Sequence, residues 1–223
     1  MDTILKFLRE LEMNNNKPWF DSHKSDYLEA RAHFNALVEK LLERITSFDS
    51  SIKGVGVNDC TYRIYKDMRF SKDGLPYKTH LGAFIAREGR KSGYSGYYFH
   101  IGTGSSEDYP CRSFLAAGNY YTEPKVLKIL REDIELGGGD FDRIIKGLHP
   151  ALSLDQDQKL KRMPLGFDPD TAYADYIKLK NFCLSGSFDD SRLDLDEIAE
   201  IFRSAKPFLD YINRAIEFAK EEM

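Results

Sequence analysis

The period of the apolar residues changes twice along the chain, from helical to pleated and back, and that order restricts the fold more than any single motif. Ile4, Phe7, Leu8 and Leu11 recur at helical spacing and stop at Asn14-Asn15-Asn16. Pro18 follows at a first-turn position, where its missing N–H is harmless. Phe20, His23, Tyr27, Phe34, Leu37, Leu41 and Ile45 form a second helical stripe, with Ser25 placed to cap a fresh start. From Cys60 to about Ala117 the period shortens to two: Cys60, Tyr62 and Ile64, then a return strand from Thr79 to Arg87, then Tyr97, Phe99 and Ile101, then a weaker run around Phe114. Helical spacing resumes from Glu123 to Leu136, where Gly137-Gly138-Gly139 is expected to end the helix, and Asp140 to Gly147 reads as a further short one. A helix is expected over Thr171 to Lys180. Asp194 with Glu197 resembles a capping box opening C-terminal helices that Pro207 interrupts. Strands clustered between helical ends fit an α+β fold, a mainly antiparallel central sheet packed by N-terminal and C-terminal helices. One globular domain over 1–223 is expected, helical over 3–48, strand-rich over 60–117 and mixed helical over 122–223.

The 223 residues suffice for one sizeable core, and no Pro/Gly/Ser-rich linker, internal repeat or low-complexity tract divides them. A formal net charge of -4 disfavours general affinity for nucleic acid, which needs a broad basic surface. Cys60, Cys111 and Cys183 are odd in number and widely spaced. They indicate neither a disulfide framework nor a zinc site, and fit a reducing cytoplasm. Met1 to Met13 is broken by Lys6, Arg9 and Glu10, so no secretory signal is expected there, and no later stretch is apolar enough to span a bilayer. No metal and no cofactor are expected.

Charge is uneven. The run Arg63 to His80, RIYKDMRFSKDGLPYKTH, is basic, whereas Asp189 to Met223 is acidic and reads as a solvated helix face. The basic run starts as a strand that places Arg63 and Tyr65 on one face, turns at Ser71-Lys72-Asp73-Gly74, and returns after Pro76. If the two strands pair, Arg63, Arg69, Lys72, Lys78 and His80 gather near one end of a hairpin, with Asp67 and Asp73 as the local anions. Two guanidinium forks can each grip a carboxylate or phosphate through paired bonds. The candidate ligand-binding residues are therefore Arg63, Arg69, Lys72, Lys78, Tyr77 and Tyr98, and the weak catalytic candidates are His80, His100 and Asp73. The competing reading pairs Arg63 and Arg69 with Asp67, Asp73 or a distant acid in a structural network. A bulge between Lys66 and Met68 would reverse the later alternation.

His100 sits beside Tyr98, opposite the face of Tyr97 and Phe99, and could act as a general base or as a satisfied structural histidine. His23, His33 and His149 lie in separate contexts. Gly102-Thr103-Gly104-Ser105-Ser106 could expose backbone amides to an anion, but it lacks the lysine of a phosphate loop and a clear following helix, so a plain turn is the favoured reading. Trp19 and Asn15 could wall a pocket or staple the first two helices. Cys111 and Ser113 have no partner motif for a nucleophile.

The series FLRELEMNNNKPWFDSHKSDY, RIYKDMRFSKDGLPYKTH, GYYFHI, RMPLGF and KLKNF resembles, through most of the chain, the bacterial and fungal family called domain of unknown function 2461. The resemblance implies a single intracellular domain and supplies no activity or catalytic residues. Against the family pattern this chain has Gly74 and Leu165 at positions where lysine is usual, and Lys66 where arginine is common, which keeps charge but loses the fork. Three functions fit the residues. The first is binding or turnover of a small anionic ligand at the hairpin. The second is a non-catalytic protein-interaction or scaffold domain, and the third a nucleic-acid binder stacking bases on Tyr62, Tyr65, Phe70 and Tyr77, which the net acidity disfavours.

Overall fold

The computed structural model describes residues 1–69, 74–103, 112–188 and 193–221. Helix α1 (Asp2–Met13) buries Ile4, Phe7, Leu8 and Leu11 on one face. Helix α2 (Lys17–Ser22) opens on Asn16, whose side chain accepts from the Trp19 amide, with Pro18 in its first turn. Helix α3 (Lys24–Phe48) buries Phe34, Val38, Leu41 and Ile45. The break between α2 and α3 falls at His23, two residues before the expected start at Ser25, because the His23 amide turns back to Phe20 and Trp19 and its ring lies on Trp19 at 4.1 Å. Ser25 instead bonds the Asp26 carboxylate at 3.3 Å.

Five antiparallel strands form one sheet in the order β1-β2-β3-β5-β4: β1 (His80–Ala86), β2 (Gly96–Thr103), β3 (Arg112–Asn119), β4 (Ser153–Leu154) and β5 (Phe182–Ser187). This is the expected α+β architecture. Leu81, Ala83, Ile85, Tyr97, Phe99, Ile101, Leu115, Ala117 and Leu184 alternate onto the face that joins the helices in one hydrophobic core. Phe34 of α3 stacks on Phe99, for example, with ring centroids 5.9 Å apart. The opposite face carries Phe84, Tyr98, His100, Phe114 and Ala116, fixed there by the pairings Phe84↔Tyr98↔Ala116 and Gly82↔His100↔Phe114.

Four expectations are corrected. Cys60 ends the short helix α4 (Val57–Cys60), whose start is held by the Gly56 amide on Asp59 Oδ2 at 3.0 Å, so the alternation read from Cys60 onward begins one residue later and forms only isolated bridges. The triple glycine does not end its helix. Helix α5 (Pro124–Lys146) kinks at Gly137 (φ -142, ψ 33) and resumes, because Gly138 packs against the Tyr173 ring, where an added Cβ would lie 2.3 Å from a ring carbon. The helix expected over 171–180 shrinks to α6 (Ala174–Ile177). Helix α7 (Leu195–Glu221), opened by Asp194 Oδ1 accepting from the amides of Asp196 and Glu197, runs through Pro207. A mid-helix proline costs about 3 kcal/mol. Burial of Phe202, Phe208, Leu209 and Ile212 on both sides of it, worth about 1.5–3 kcal/mol per side chain, outweighs that cost.

Among the described residues, no helix is long and apolar enough to cross a membrane. Cys60 and Cys183 are buried free thiols, pushed up to about 12 chiefly by burial, and hence unreactive; Cys111 lies outside the described residues.

Candidate functional site

The segment from Thr61 to Lys78 runs back along β1 as an irregular ladder. The Tyr62 amide donates to the Gly82 carbonyl at 3.0 Å, the Lys78 amide to Ile64 at 2.8 Å and the Lys66 amide to Pro76 at 2.9 Å. Between the first two bonds the outgoing chain has only Arg63, whereas the return has Thr79, His80 and Leu81. The hairpin therefore forms with a two-residue slip that breaks the simple alternation at Arg63, earlier than the position considered between Lys66 and Met68. Gly74 takes a positive φ of 68, a conformation that glycine adopts without steric cost. Phe70, Ser71, Lys72 and Asp73 lie outside the described residues, so the candidates Lys72 and Asp73 have no described position.

Three anchors hold this hairpin. Asn15, in the turn between α1 and α2, pairs its side-chain amide with both backbone groups of Tyr77, donating to the carbonyl at 2.9 Å and accepting from the N–H at 3.1 Å. Phe20 stacks on Tyr77 at 4.0 Å, with Tyr65 against both rings. Arg31 of α3 donates Nη1 to the Tyr62 carbonyl at 2.6 Å and Nη2 to Thr61 Oγ1 at 2.7 Å. Asn15 is thus a joint between the helices and the hairpin, and Trp19 staples α2 to Phe7 of α1 at 6.2 Å. Replacing Asn15 with leucine is expected to remove both bonds to Tyr77, each worth about 1 kcal/mol. The thermal midpoint should fall by about 4–8 °C, at about 2–4 °C per kcal/mol for a chain of this size.

At the far end of the hairpin, beyond the slip, lies the candidate site. His80 of β1 stacks on His100 of β2 with centroids 4.4 Å apart, and His100 meets Phe114 of β3 at 4.5 Å, so three rings cross three strands. Tyr98 shares a 3.0 Å hydrogen bond between its hydroxyl and His100 Nδ1. Gly82 makes room for that phenol, since a Cβ there would sit 2.6 Å from the Tyr98 oxygen. A bulge between His100 and Thr103 locally re-aims β2 beside the imidazole. Tyr62 packs edge-on to Tyr98 at 6.4 Å, and its own ring carries Lys78 Nζ at 5.4 Å and Arg90 at 5.8 Å from the centroid.

The electrostatics are lopsided. Burial, Arg63 and Lys66 all hold the half-buried Lys78 ammonium below its ordinary value. Burial, then Lys78 and Lys66, draw His80 down to about 4, and burial with His80 draws His100 down to about 2, so both imidazoles are neutral at pH 7. Among the described residues, neither Arg63 nor Lys78 has a carboxylate within ion-pair distance. Arg69 behaves differently. Its exposed fork takes Asp67 through two bonds of 3.0 and 2.7 Å, which with the backbone N–H of Arg69 holds that carboxyl below the usual range; Arg63 adds a weaker, longer-range effect.

Of the residues singled out from sequence, the fold thus gathers Lys78, His80, Tyr98 and His100, with Arg63 near enough to act on Lys78. It sends the Tyr77 ring into the aromatic cluster against Phe20, and engages Arg69 with Asp67. His23 lies on Trp19, and His149 Nδ1 accepts from the Ala151 amide. Gly102 and Thr103 belong to β2, which corrects the expected turn at these two residues, and 104–106 lie outside the described residues. Ser113 is buried, its hydroxyl accepting from the Gly102 amide at 3.4 Å. Arg31, Gly82 and Phe114 escaped the sequence reading as parts of this neighbourhood. Arg31 left a signal, a charge on the apolar stripe four residues after Tyr27 and three before Phe34, and Gly82 left another, a glycine inside a strand. Among the described residues, no group of three or more His, Cys, Asp or Glu side chains could hold a metal ion.

No curated protein and no solved structure matches the chain. One family model does, over residues 3–211. That match takes in the anchors, the hairpin and all five strands, and the chain belongs to the family described as conserved hypothetical protein (DUF2461).

Proposed function

We propose that the sheet face around His80 binds a small anionic ligand, bearing a phosphate or carboxylate, with Lys78 and Arg63 as its charged contacts and His80, Tyr98 and His100 as its wall. The observation that carries this reading is the Lys78 ammonium: it is partly withdrawn from water beside two like charges, and no described carboxylate is within ion-pair distance. A bound anion would relieve that repulsion, and charge-assisted hydrogen bonds are the strong ones in such a setting. The two neutral rings and the phenol add directional polar groups without adding negative charge.

The Arg69–Asp67 fork favours the structural reading for that residue, so the proposed site is centred on Lys78 and His80 rather than on the hairpin tip. A thermal-shift panel of phosphate, phosphorylated metabolites and carboxylic acids tests the proposal. A ligand at about a hundred times its dissociation constant stabilises by about 2.7 kcal/mol. For this chain length the midpoint should rise by about 5–10 °C. A panel in which no anion raises the midpoint would count against the proposal and in favour of a scaffold role.

A further inference from the structure

We infer that the anion carries a flat aromatic ring, and that this ring lies on a shelf formed by Tyr98 and Phe114, with Arg112 closing the β3 side. The inference rests on the anion-binding reading above and names its substrate class: a ring joined to the anion directly, as in an aryl phosphate, or through a sugar, as in a nucleotide.

The outer face of the sheet points to it. An antiparallel sheet covered on one side ordinarily turns polar side chains to the other. Here β1, β2 and β3 turn Phe84, Tyr98, Phe114 and Ala116 outward, and none of the four belongs to the hydrophobic core or packs against it. The three rings among them are half-buried. They continue the aromatic run of the hairpin, since Tyr62 meets Tyr98 at 6.4 Å and Tyr98 meets Phe114 at 5.5 Å. His100 is wholly buried beside these rings, which leaves Tyr98 and Phe114 as the surfaces a ligand can reach at the centre of the face.

Size and charge select the occupant. Three strands of seven or eight residues cover about 15 Å by 25 Å, under about 400 Å². A stable protein interface buries about 800 Å² on each partner, so the shelf alone does not supply one, whereas a small ligand fits it. The five strands contain no acidic residue. Cations stand on both sides of the shelf. Lys78 and Arg90 lie over the Tyr62 ring on the β1 side. Arg112, two residues before Phe114 on the same face of β3, is exposed, and among the described residues it has no carboxylate within ion-pair distance. Its planar guanidinium stacks on ring faces as an ammonium does not. Beyond Phe114, the exposed Ser185 and Ser187 of β5 continue the face opposite Ala116 and Phe114, and their hydroxyls suit polar substituents on a ring.

Two pairs of probes share an anion and differ in a ring: phenyl phosphate against methyl phosphate, and adenosine monophosphate against ribose 5-phosphate. Isothermal titration of the full chain at pH 7 and fixed ionic strength should show a ring-bearing member binding about fivefold to a hundredfold more tightly than its ring-free partner, the range for stacking on an aromatic side chain. A gain in the first pair assigns a ring joined directly, and a gain in the second alone assigns one joined through a sugar. Phe114→Leu keeps an apolar side chain without a ring face, and should bring the two affinities of that pair together.

Equal affinities within both pairs, or a gain that survives in Phe114→Leu, would overturn the inference while leaving the anion site standing. Absence of binding by all four compounds would overturn both. A dimer that forms with rising concentration and dissociates in Phe114→Leu, with no preference for either ring-bearing compound, would assign the shelf to a second copy of the chain and overturn the inference as well. Should Phe114→Leu fail to fold, NMR of the native chain reads the same contact. Nuclear Overhauser effects must pass from the Phe114 ring to the ring protons of the bound compound, and their absence at saturation contradicts the inference.

Discussion

Replacing Lys78 with methionine is expected to weaken phosphate binding by at least tenfold and to leave the thermal midpoint unchanged or raised. Hydrogen bonds to charged groups contribute about 1.5–3 kcal/mol, which corresponds to roughly a tenfold to hundredfold loss of affinity. The stability half of the expectation is the more discriminating. Removing one member of a buried ion pair costs about 3–5 kcal/mol, because the abandoned charge stays buried. Lys78 abandons no described carboxylate: its neighbours Arg63 and Lys66 are like charges, and among the described residues its ammonium lies over the Tyr62 ring, a contact worth about 0.5–2 kcal/mol between exposed and desolvated sites. Methionine keeps the apolar stem against that ring. The sign also follows from linkage. With the folded-state value of Lys78 held below the unfolded one, the unfolded chain binds more protons in the window between them, so the ammonium weakens the fold at every pH below that window, neutrality included. Equilibrium unfolding of the two proteins at pH 7, with phosphate titrations of each, checks both halves. A destabilised Lys78→Met protein would identify Lys78 as part of a structural network.

The second large effect concerns the sheet that supports the site. Gly118→Ala is expected to destabilise the protein by about 3 kcal/mol or more, the range for backbone strain combined with overpacking. Gly118 has φ +129, where side-chain-bearing residues are rarely found, and its Cβ would lie 2.3 Å from the Phe182 carbonyl oxygen and 3.0 Å from Cys183 Cα. Those atoms belong to β5, hydrogen-bonded to β3 along its length, so neither can retreat as a flexible side-chain end would. The partner across β2 is Gly96, equally tight, with a virtual Cβ 2.4 Å from the Ile85 carbonyl oxygen. Urea unfolding followed by tryptophan fluorescence of Trp19 gives the measurement. A midpoint like that of the native protein would show that the β3–β5 pairing yields more easily than its geometry implies.

The periodicity of the apolar residues carried the architecture, because alternation and helical spacing each report which face is buried. Helix α1, the return strand at His80–Ala86 and the Tyr97-Phe99-Ile101 face all follow that rule. Glycine and proline misled it. Gly137-Gly138-Gly139 reads as a stop, yet a close approach by Tyr173 turns the same residues into a kink, and the apolar faces around Pro207 hold a helix together that local chemistry would break. Both are cases in which packing by distant residues overrides a local signal.

At the site, the sequence yielded members but not grouping. Tyr98 and His100 share a face by simple alternation, and His80 enters by strand pairing. What could not be read was the two-residue slip around Arg63, since nothing in the residue types records how many residues each strand spends between hydrogen bonds. That slip, with the Asn15 and Phe20 anchors at Tyr77, directs Tyr77 inward and leaves Lys78 beside the histidine stack. The Arg69–Asp67 fork, two residues apart, was by contrast within reach of a local reading.

The measurement that tests the central claim most directly is a phosphate titration of the native chain followed by NMR, with the side chains of Lys78, His80, His100, Arg69 and Tyr77 resolved. Saturable shifts at Lys78, His80 and His100, with Arg69 and Tyr77 unmoved, are the result expected of an anion site on this face of the sheet. Shifts confined to Arg69, or no saturable shift at any of these residues, would contradict it.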